Sequence, residues 1–317
     1  MLPAEMRERR AITDAVRVSF LAHGYGEIET PAIEYEEVVR RGGADGSGAG
    51  GTNYRVFDDH GAVLSLRTDM TVPIARVVAS RYADAAPPLR FSYLAHAYRT
   101  VRPHRGQMRE FLQAGVELIG APAPDGTAEV LRVLCDALDA AGLKGYRIGL
   151  GDASLYPALL DAYGAGDAAK ATILTELGDR DFVGLEREIR ALDLPADDAE
   201  LLMRIAQRRG GAELLVAVAE HPPAVASAAA TLRALLERLD ASISDRIVVD
   251  LGVSRDLGYY TGPVFEIYAP GVGAPLGGGG HYDDLVGRFG RDLPAVGFAL
   301  NVDRLQEALA REEEATR

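Results

Sequence analysis

Residues 90–119 read RFSYLAHAYRTVRPHRGQMREFLQAGVELI. Arg90 to Tyr98 and Arg109 to Ile119 have the texture of two strands, joined by a polar, basic loop. Gln113, Gly115 and Glu117 are spaced by two, so on a strand they share one face. Two polar side chains flanking a glycine leave room for a ligand against a sheet, and Phe111 and Ile119 border that face. Arg99, Arg102, Arg105 and Arg109 surround the turn before it. A solvated charged hairpin is the plainer reading of the same residues.

Upstream of this pair, Ile12, Val16 and Phe20 recur at helical spacing and Gly24 is placed to end the helix. Tyr25 to Pro31 reads as a short strand, and Arg55–Asp58 and Ala62–Arg67 flank a hairpin turn at Asp59-His60-Gly61. Gly42 to Gly51 is mostly Gly, Ala and Ser, the composition of a mobile loop. Downstream, Thr127–Ala141 is a helix closed by Gly142, and it carries Cys135 as a buried structural thiol. Asp152 to Ser244 is rich in Ala and Leu, with helical spacing broken at Gly164, Pro195, Gly210 and Pro222-Pro223. Strand character returns at Arg246–Asp250, Val264–Tyr268 and Ala295–Ala299, and a last helix runs from Val302 to about Arg311 before a charged tail. Strands at both ends around a helical middle predict an α+β fold: a core of residues 1–151 and 245–317, interrupted by a helical insertion at 152–244.

Composition narrows the chemistry. The chain has 317 residues, with 34 Lys and Arg against 47 Asp and Glu, a net charge of −13. That balance disfavours general nucleic-acid binding, which needs clustered positive charge. One cysteine excludes a disulfide framework and a cysteine-based zinc site. No apolar run reaches membrane-span length and no signal peptide is evident at Met1, so the protein is expected to be soluble and cytoplasmic. The six histidines fall at no metal-ligand spacing, and phosphate-loop, dinucleotide, HExxH and nucleophile-elbow motifs are missing. No metal and no cofactor is expected.

Two further segments carry possible binding chemistry. In Leu66-Arg-Thr-Asp-Met-Thr71, Asp69 and Thr71 face the same way if the chain is extended there, and together they suit an ammonium group. An ordinary helix cap is the equal alternative. Ser254 to Glu266 is followed by Gly277-Gly-Gly-Gly-His-Tyr-Asp283, where four glycines between strands fit close backbone approach to a ligand better than a linker.

Taken in order, these segments resemble the catalytic core of histidyl-tRNA synthetase, a class II aminoacyl-tRNA synthetase, over nearly the whole chain. Gly-Tyr-Gly-Glu-Ile-Glu-Thr-Pro31 is similar to motif 1, Arg99–Glu117 to motif 2, and Pro294–Arg304 to motif 3. Arg255–Tyr260 and Gly277–Asp283 resemble the two histidine-specific signatures. The resemblance implies a six- or seven-stranded, mostly antiparallel sheet flanked by helices, dimerising through motif 1. It also implies a histidine pocket: Asp69, Thr71 and Gln113 for the α-amino group, Glu117 and Tyr260 for the imidazole, Arg99 and Arg255 for carboxylate and phosphate. Tyr259, Tyr282 and Gly297 would line the wall, and Arg304 would be a remnant of an adenine-stacking site.

The departures point to one branch. Val101 stands where the synthetases have Glu, Gln107 replaces a phosphate-reaching Arg, and Pro103-His104 replaces Pro-Gln. Asp256 and Gly258 alter the Arg-Gly-Leu-Asp-Tyr-Tyr signature, and no anticodon-binding domain follows motif 3. These losses resemble the ATP phosphoribosyltransferase regulatory subunits. That implies a non-catalytic partner of the short-form catalytic subunit in a hetero-octamer, with L-histidine as effector and no tRNA or membrane partner. The alternative implied by the intact pocket is a truncated enzyme that forms histidyl-adenylate.

Overall fold

Two ten-residue strands, β5 (Leu89–Tyr98) and β6 (Glu110–Ile119), the second buried at every residue from Gln113 to Ile119, build the centre of the molecule. The computed structural model describes residues 1–43, 53–100, 108–218, 222–253 and 259–316. The other strands are β1 (Gly26–Glu27), β2 (Ile33–Tyr35), β3 (Arg55–Phe57), β4 (Val63–Leu66), β7 (Arg147–Asp152), β8 (Arg209–Gly210), β9 (Ile247–Asp250), β10 (Pro263–Tyr268), β11 (Gly277–His281) and β12 (Ala295–Asn301). Nine of them form one sheet in the order β1-β5-β6-β12-β11-β10-β7-β9-β8, and β2-β4-β3 form a small second sheet. The run from β5 to β7 is antiparallel throughout, whereas β1 on β5 and β9 on β7 are parallel. The sheet is therefore wider and more mixed than the six or seven antiparallel strands expected. The extra edge strands β1 and β8 hold only two residues each; β1 lies within the Tyr25–Pro31 strand expected, whereas β8 is too short to show in a hydropathy pattern.

Twelve α-helices occur among the described residues: α1 (Pro3–Ala22), α2 (Glu36–Arg41), α3 (Thr71–Arg81), α4 (Asp125–Ala140), α5 (Leu155–Ala162), α6 (Asp167–Asp179), α7 (Phe182–Arg190), α8 (Ala196–Gln207), α9 (Glu213–Ala217), α10 (Pro223–Leu236), α11 (Ala241–Ser244) and α12 (Val302–Thr316). The charged C-terminal stretch expected as a tail belongs to α12, whose Leu305 and Ala308 hold one face on the core while Glu312 accepts the Lys144 and Gly145 N–H groups. Gly142 ends the α4 region at φ +98°, a conformation open to glycine at little cost. The turn at Asp58–Gly61 pairs β3 with β4 as expected, with Gly61 at φ +83°.

The sheet separates two apolar layers. Val116 and Leu118 of β6, Phe298 and Leu300 of β12, and Phe265 and Ile267 of β10 face a large cluster that includes α1 and α4. The same cluster continues through Leu159, Leu185, Leu202 and Leu232 of the helices between β7 and β9. Ionic contacts reinforce this packing: buried Asp250 on β9 pairs with Arg180, after α6, at 3.2 Å and with Arg209 on β8 at 2.8 Å. On the opposite face Tyr93, Ile74, Tyr259, Tyr282 and Ala295 form a smaller cluster, and the polar residues of β6 sit on that side. No helix among the described residues is long and apolar enough to cross a membrane.

Candidate functional site

Glu117 is the centre of the site. It is only 1% exposed, and both carboxylate oxygens accept hydroxyls: Thr71 Oγ1 donates to Oε1 at 2.7 Å and the Tyr282 phenol donates to Oε2. Burial pushes this carboxyl up to about 8, against the two hydroxyl donors, and the nearby Asp69 charge adds to the rise. Tyr282, expected only as a wall, thus holds the key carboxylate directly. The Thr71–Glu117 bond spans 46 residues, and no local sequence signal reveals such a pairing.

Of the two alternatives for Asp69 and Thr71, extended chain and helix cap, the structure takes the cap. Thr71 is the first residue of α3, and Asp69 Oδ1 accepts the Val72 N–H at 3.3 Å. Asp69 is therefore a helix-capping acceptor as well as a wall of the site. Burial raises its carboxyl pKa, with the Arg99 charge opposing.

An aromatic wall completes the enclosure. Ring centroids of Tyr259 and Tyr260 are 4.8 Å apart, Tyr259 and Tyr282 5.7 Å, and Tyr260 and Tyr282 6.5 Å. Burial lifts the Tyr259 phenol well above its ordinary range; Tyr260, Asp69 and Glu117 add to the rise, and a hydrogen bond with Thr71 opposes it. Gln113 lies on the Glu117 face of β6, is 5% exposed, and its Oε1 has no hydrogen-bond partner among the described residues. Leaving such an acceptor unpaired costs about 1–3 kcal/mol, which a ligand donor offsets.

Arg99 and Arg304 are the sequence-predicted cations among the described residues. Arg99 Nε donates to the Thr68 carbonyl at 3.2 Å, and its guanidinium lies 5.3 Å from the Phe111 ring centroid. Arg304 donates to the Pro275 carbonyl at 2.6 Å. Burial lowers the Arg304 pKa, the Arg99 charge lowers it further, and Glu307 and Glu266 oppose. Two cations whose charges disfavour one another are relieved by an anionic group. The assembled chemistry suits a small zwitterion: acceptors for an ammonium, cations for a carboxylate, and a tyrosine wall for a flat ring.

The glycines do different work from that expected. A side chain at Gly115 would strike the Tyr93 phenol, which lies across that gap and donates to the Phe298 carbonyl at 3.4 Å. Protein, not a ligand, occupies the space. Gly297 makes room for the Glu117 carboxylate in the same way. In β11, Gly277 and Gly279 admit the backbone of β12, with the Phe265 ring also against Gly279, and Gly280 admits Val264 and Tyr260. The four-glycine run is thus explained at these positions by close packing of strands and aromatic rings.

Several sequence expectations fall outside the described residues: Arg255 with its altered signature, the Val101, Pro103-His104 and Gln107 departures, Arg102 and Arg105, and most of the Gly42–Gly51 stretch. Among the described residues no cluster of three or more His, Cys, Asp or Glu is arranged to hold a metal. Cys135 is 2% exposed on α4, and burial raises its thiol pKa.

Comparison with known proteins places this geometry. The family model described as histidyl-tRNA synthetase matches residues 1–305. The ATP phosphoribosyltransferase regulatory subunit of Symbiobacterium thermophilum is 42% identical, over 98% of this chain and 80% of its own length. That of Moorella thermoacetica is 38% identical, over 99% and 81%. Among solved structures, an ATP phosphoribosyltransferase regulatory subunit/histidyl-tRNA synthetase from Bacillus halodurans superposes with a TM-score of 0.88 at 33% identity, covering 97% of this chain and 80% of that one. A histidine–tRNA ligase subunit from Alicyclobacillus acidocaldarius gives 0.82 at 32% identity, covering 99% and 96%. With its antiparallel core, its flanking helices and these relatives, the chain belongs to the histidyl-tRNA synthetase-like family of class II folds, in the branch of the ATP phosphoribosyltransferase regulatory subunits.

Proposed function

We propose that this chain binds and activates a short-form ATP phosphoribosyltransferase catalytic subunit and carries feedback inhibition by L-histidine to it, without catalysis of its own. The reading includes a homodimer within a hetero-octamer, a cytoplasmic setting, and residues 152–244 as an insertion in the core formed by 1–151 and 245–317. One observation carries it. The buried Gln113 Oε1 has no partner among the described residues, on the same strand face as a buried Glu117 held between Thr71 and Tyr282. The names of the relatives support the regulatory role.

In this reading Asp69, Thr71 and Gln113 receive the α-amino group, Glu117 and Tyr260 the imidazole, and Arg99 with Arg255 the carboxylate. Tyr259 and Tyr282 close the wall. A pocket that pairs both ring nitrogens rejects analogues that leave its own buried groups unpaired. Histidine inhibits only if it binds the inhibited assembly more tightly than the active one, since equal affinity shifts nothing.

The test is phosphoribosyltransferase turnover by a purified, competent short catalytic subunit, with and without this chain, across a histidine titration. Activation by the chain, with inhibition that requires it, is the expected result. Replacing Glu117→Ala is expected to leave assembly intact and blunt inhibition; unchanged inhibition overturns the pocket assignment. A second reading, a truncated enzyme that forms histidyl-adenylate, rests on Arg99 and Arg255 for the carboxylate and phosphate and on Arg304 for the adenine. Histidine-dependent ATP–pyrophosphate exchange by this chain alone favours that enzyme over the regulator.

A further inference from the structure

The three tyrosines of the wall come from two chain segments, and the strand ladder stops short of joining them. The β10–β11 pairing extends outward only to Val264 opposite Gly280. Beyond it, Tyr259 and Tyr260 precede β10 and Tyr282 follows β11. What links the segments there is a polar clamp on either side of Tyr282. The Thr261 N–H donates to the His281 carbonyl at 2.9 Å. Thr261 Oγ1 donates to Asp283 Oδ2 at 3.1 Å and accepts the Asp283 N–H at 3.0 Å. The second Asp283 oxygen meets His281 Nε2 at 3.0 Å, and His281 Nδ1 lies 3.5 Å from Thr127 Oγ1 on α4.

His281 and Thr127 are 2% and 0% exposed, so this end of the clamp is fixed in the core. The His281 and Asp283 side chains meet each other, while the ring of Tyr282 between them reaches Glu117 on β6. Thr261 and Asp283 touch each other and the backbone on either side of Tyr282, while the Tyr282 phenol meets Glu117.

We propose that Thr261 and Asp283 are positioning residues that set the affinity of the pocket by locking Tyr259 and Tyr260 against Tyr282, and through Tyr282 aim the Glu117 carboxylate. This rests on the histidine-binding reading of the site. The reciprocal Thr261–Asp283 pair fixes the spacing of the two segments, and that spacing sets where the Tyr282 hydroxyl meets Glu117.

The test uses Thr261→Val, which keeps shape and removes the hydroxyl, Thr261→Ser, which restores it, and Asp283→Ala as an independent second variant. L-histidine binding to the full chain is read by calorimetry. Near-ultraviolet circular dichroism reads the wall, because the chain has 13 Tyr and no Trp. The loss of one such hydrogen-bonded pair is expected to weaken histidine binding about tenfold in Thr261→Val and Asp283→Ala. Both should lose part of the tyrosine dichroism, with Thr261→Ser retaining both properties.

Wild-type affinity and dichroism in a folded Thr261→Val or Asp283→Ala protein overturn the proposal. So does a Thr261→Ser protein as weak as Thr261→Val, because the hydroxyl is then not the determinant. If the wild type itself binds no histidine, the functional reading fails and the clamp is judged on dichroism alone. A tyrosine signal that changes in Thr261→Val and not in Thr261→Ser then supports it, and an unchanged signal overturns it.

Discussion

Replacing Glu117→Gln isolates the energetic consequence of burying a carboxyl in this pocket. An unfolded glutamate ionises near 4.5, whereas burial in the native chain, opposed by the Tyr282 and Thr71 hydroxyls, holds the proton to about 8. Between those values the native state binds more protons than the unfolded one, so stability falls as pH rises. Below the window both states are neutral at this position, and wild type and Glu117→Gln show no pH-dependent difference. Above it the difference is constant. Across it the variant gains on the wild type by about 5 kcal/mol, at 1.36 kcal/mol per pH unit. With about 2.1 cal/mol/K of unfolding entropy per residue, this corresponds to roughly 7 °C in Tm. The assay is thermal unfolding of both proteins in matched buffers from pH 4 to pH 9, with the difference in Tm plotted against pH. A difference that stays flat through neutral pH refutes the reasoning, because Glu117 is then ionised in the native state as readily as in the unfolded one.

Other consequences follow from packing and charge. Gly297→Ala forces a methyl group into the Glu117 carboxylate and the Val116 carbonyl, and is expected to cost about 2 kcal/mol in a urea titration; a loss below about 0.5 kcal/mol contradicts the close approach. Removing both Arg180 and Arg209 as alanines strands the buried Asp250 carboxylate, and is expected to cost about 3 kcal/mol, with faster proteolysis between residues 152 and 244; wild-type stability and proteolysis rules out the ionic tie. Cys135 is expected to resist a thiol reagent in the native protein and react once the chain is unfolded in denaturant; rapid native labelling contradicts its burial.

Much of the frame is legible along the chain because its causes are local. The strand texture of β6, the stripe of α4 and the stops at Gly61 and Gly142 each depend on neighbours a few residues away. The two-residue strand β8 escapes such reading, since its pairing is decided by β9 from afar. The segment around Asp69 shows the limit within a motif. Spacing by two was compatible with an extended chain or a cap, and only the packing of α3 against β5 and the Tyr282 wall selects the helix start.

The sequence by itself determined the family and which residue types are available to the site, because motif order and spacing are properties of the chain. Tertiary structure alone decided what those residues do to one another. It placed the Tyr282 phenol and the Thr71 hydroxyl on the two oxygens of Glu117. It also filled the gap at Gly115 with Tyr93. Each of these contacts joins residues from different elements. Their strength depends on exclusion of water, which exists only once the sheet and its two apolar layers have closed.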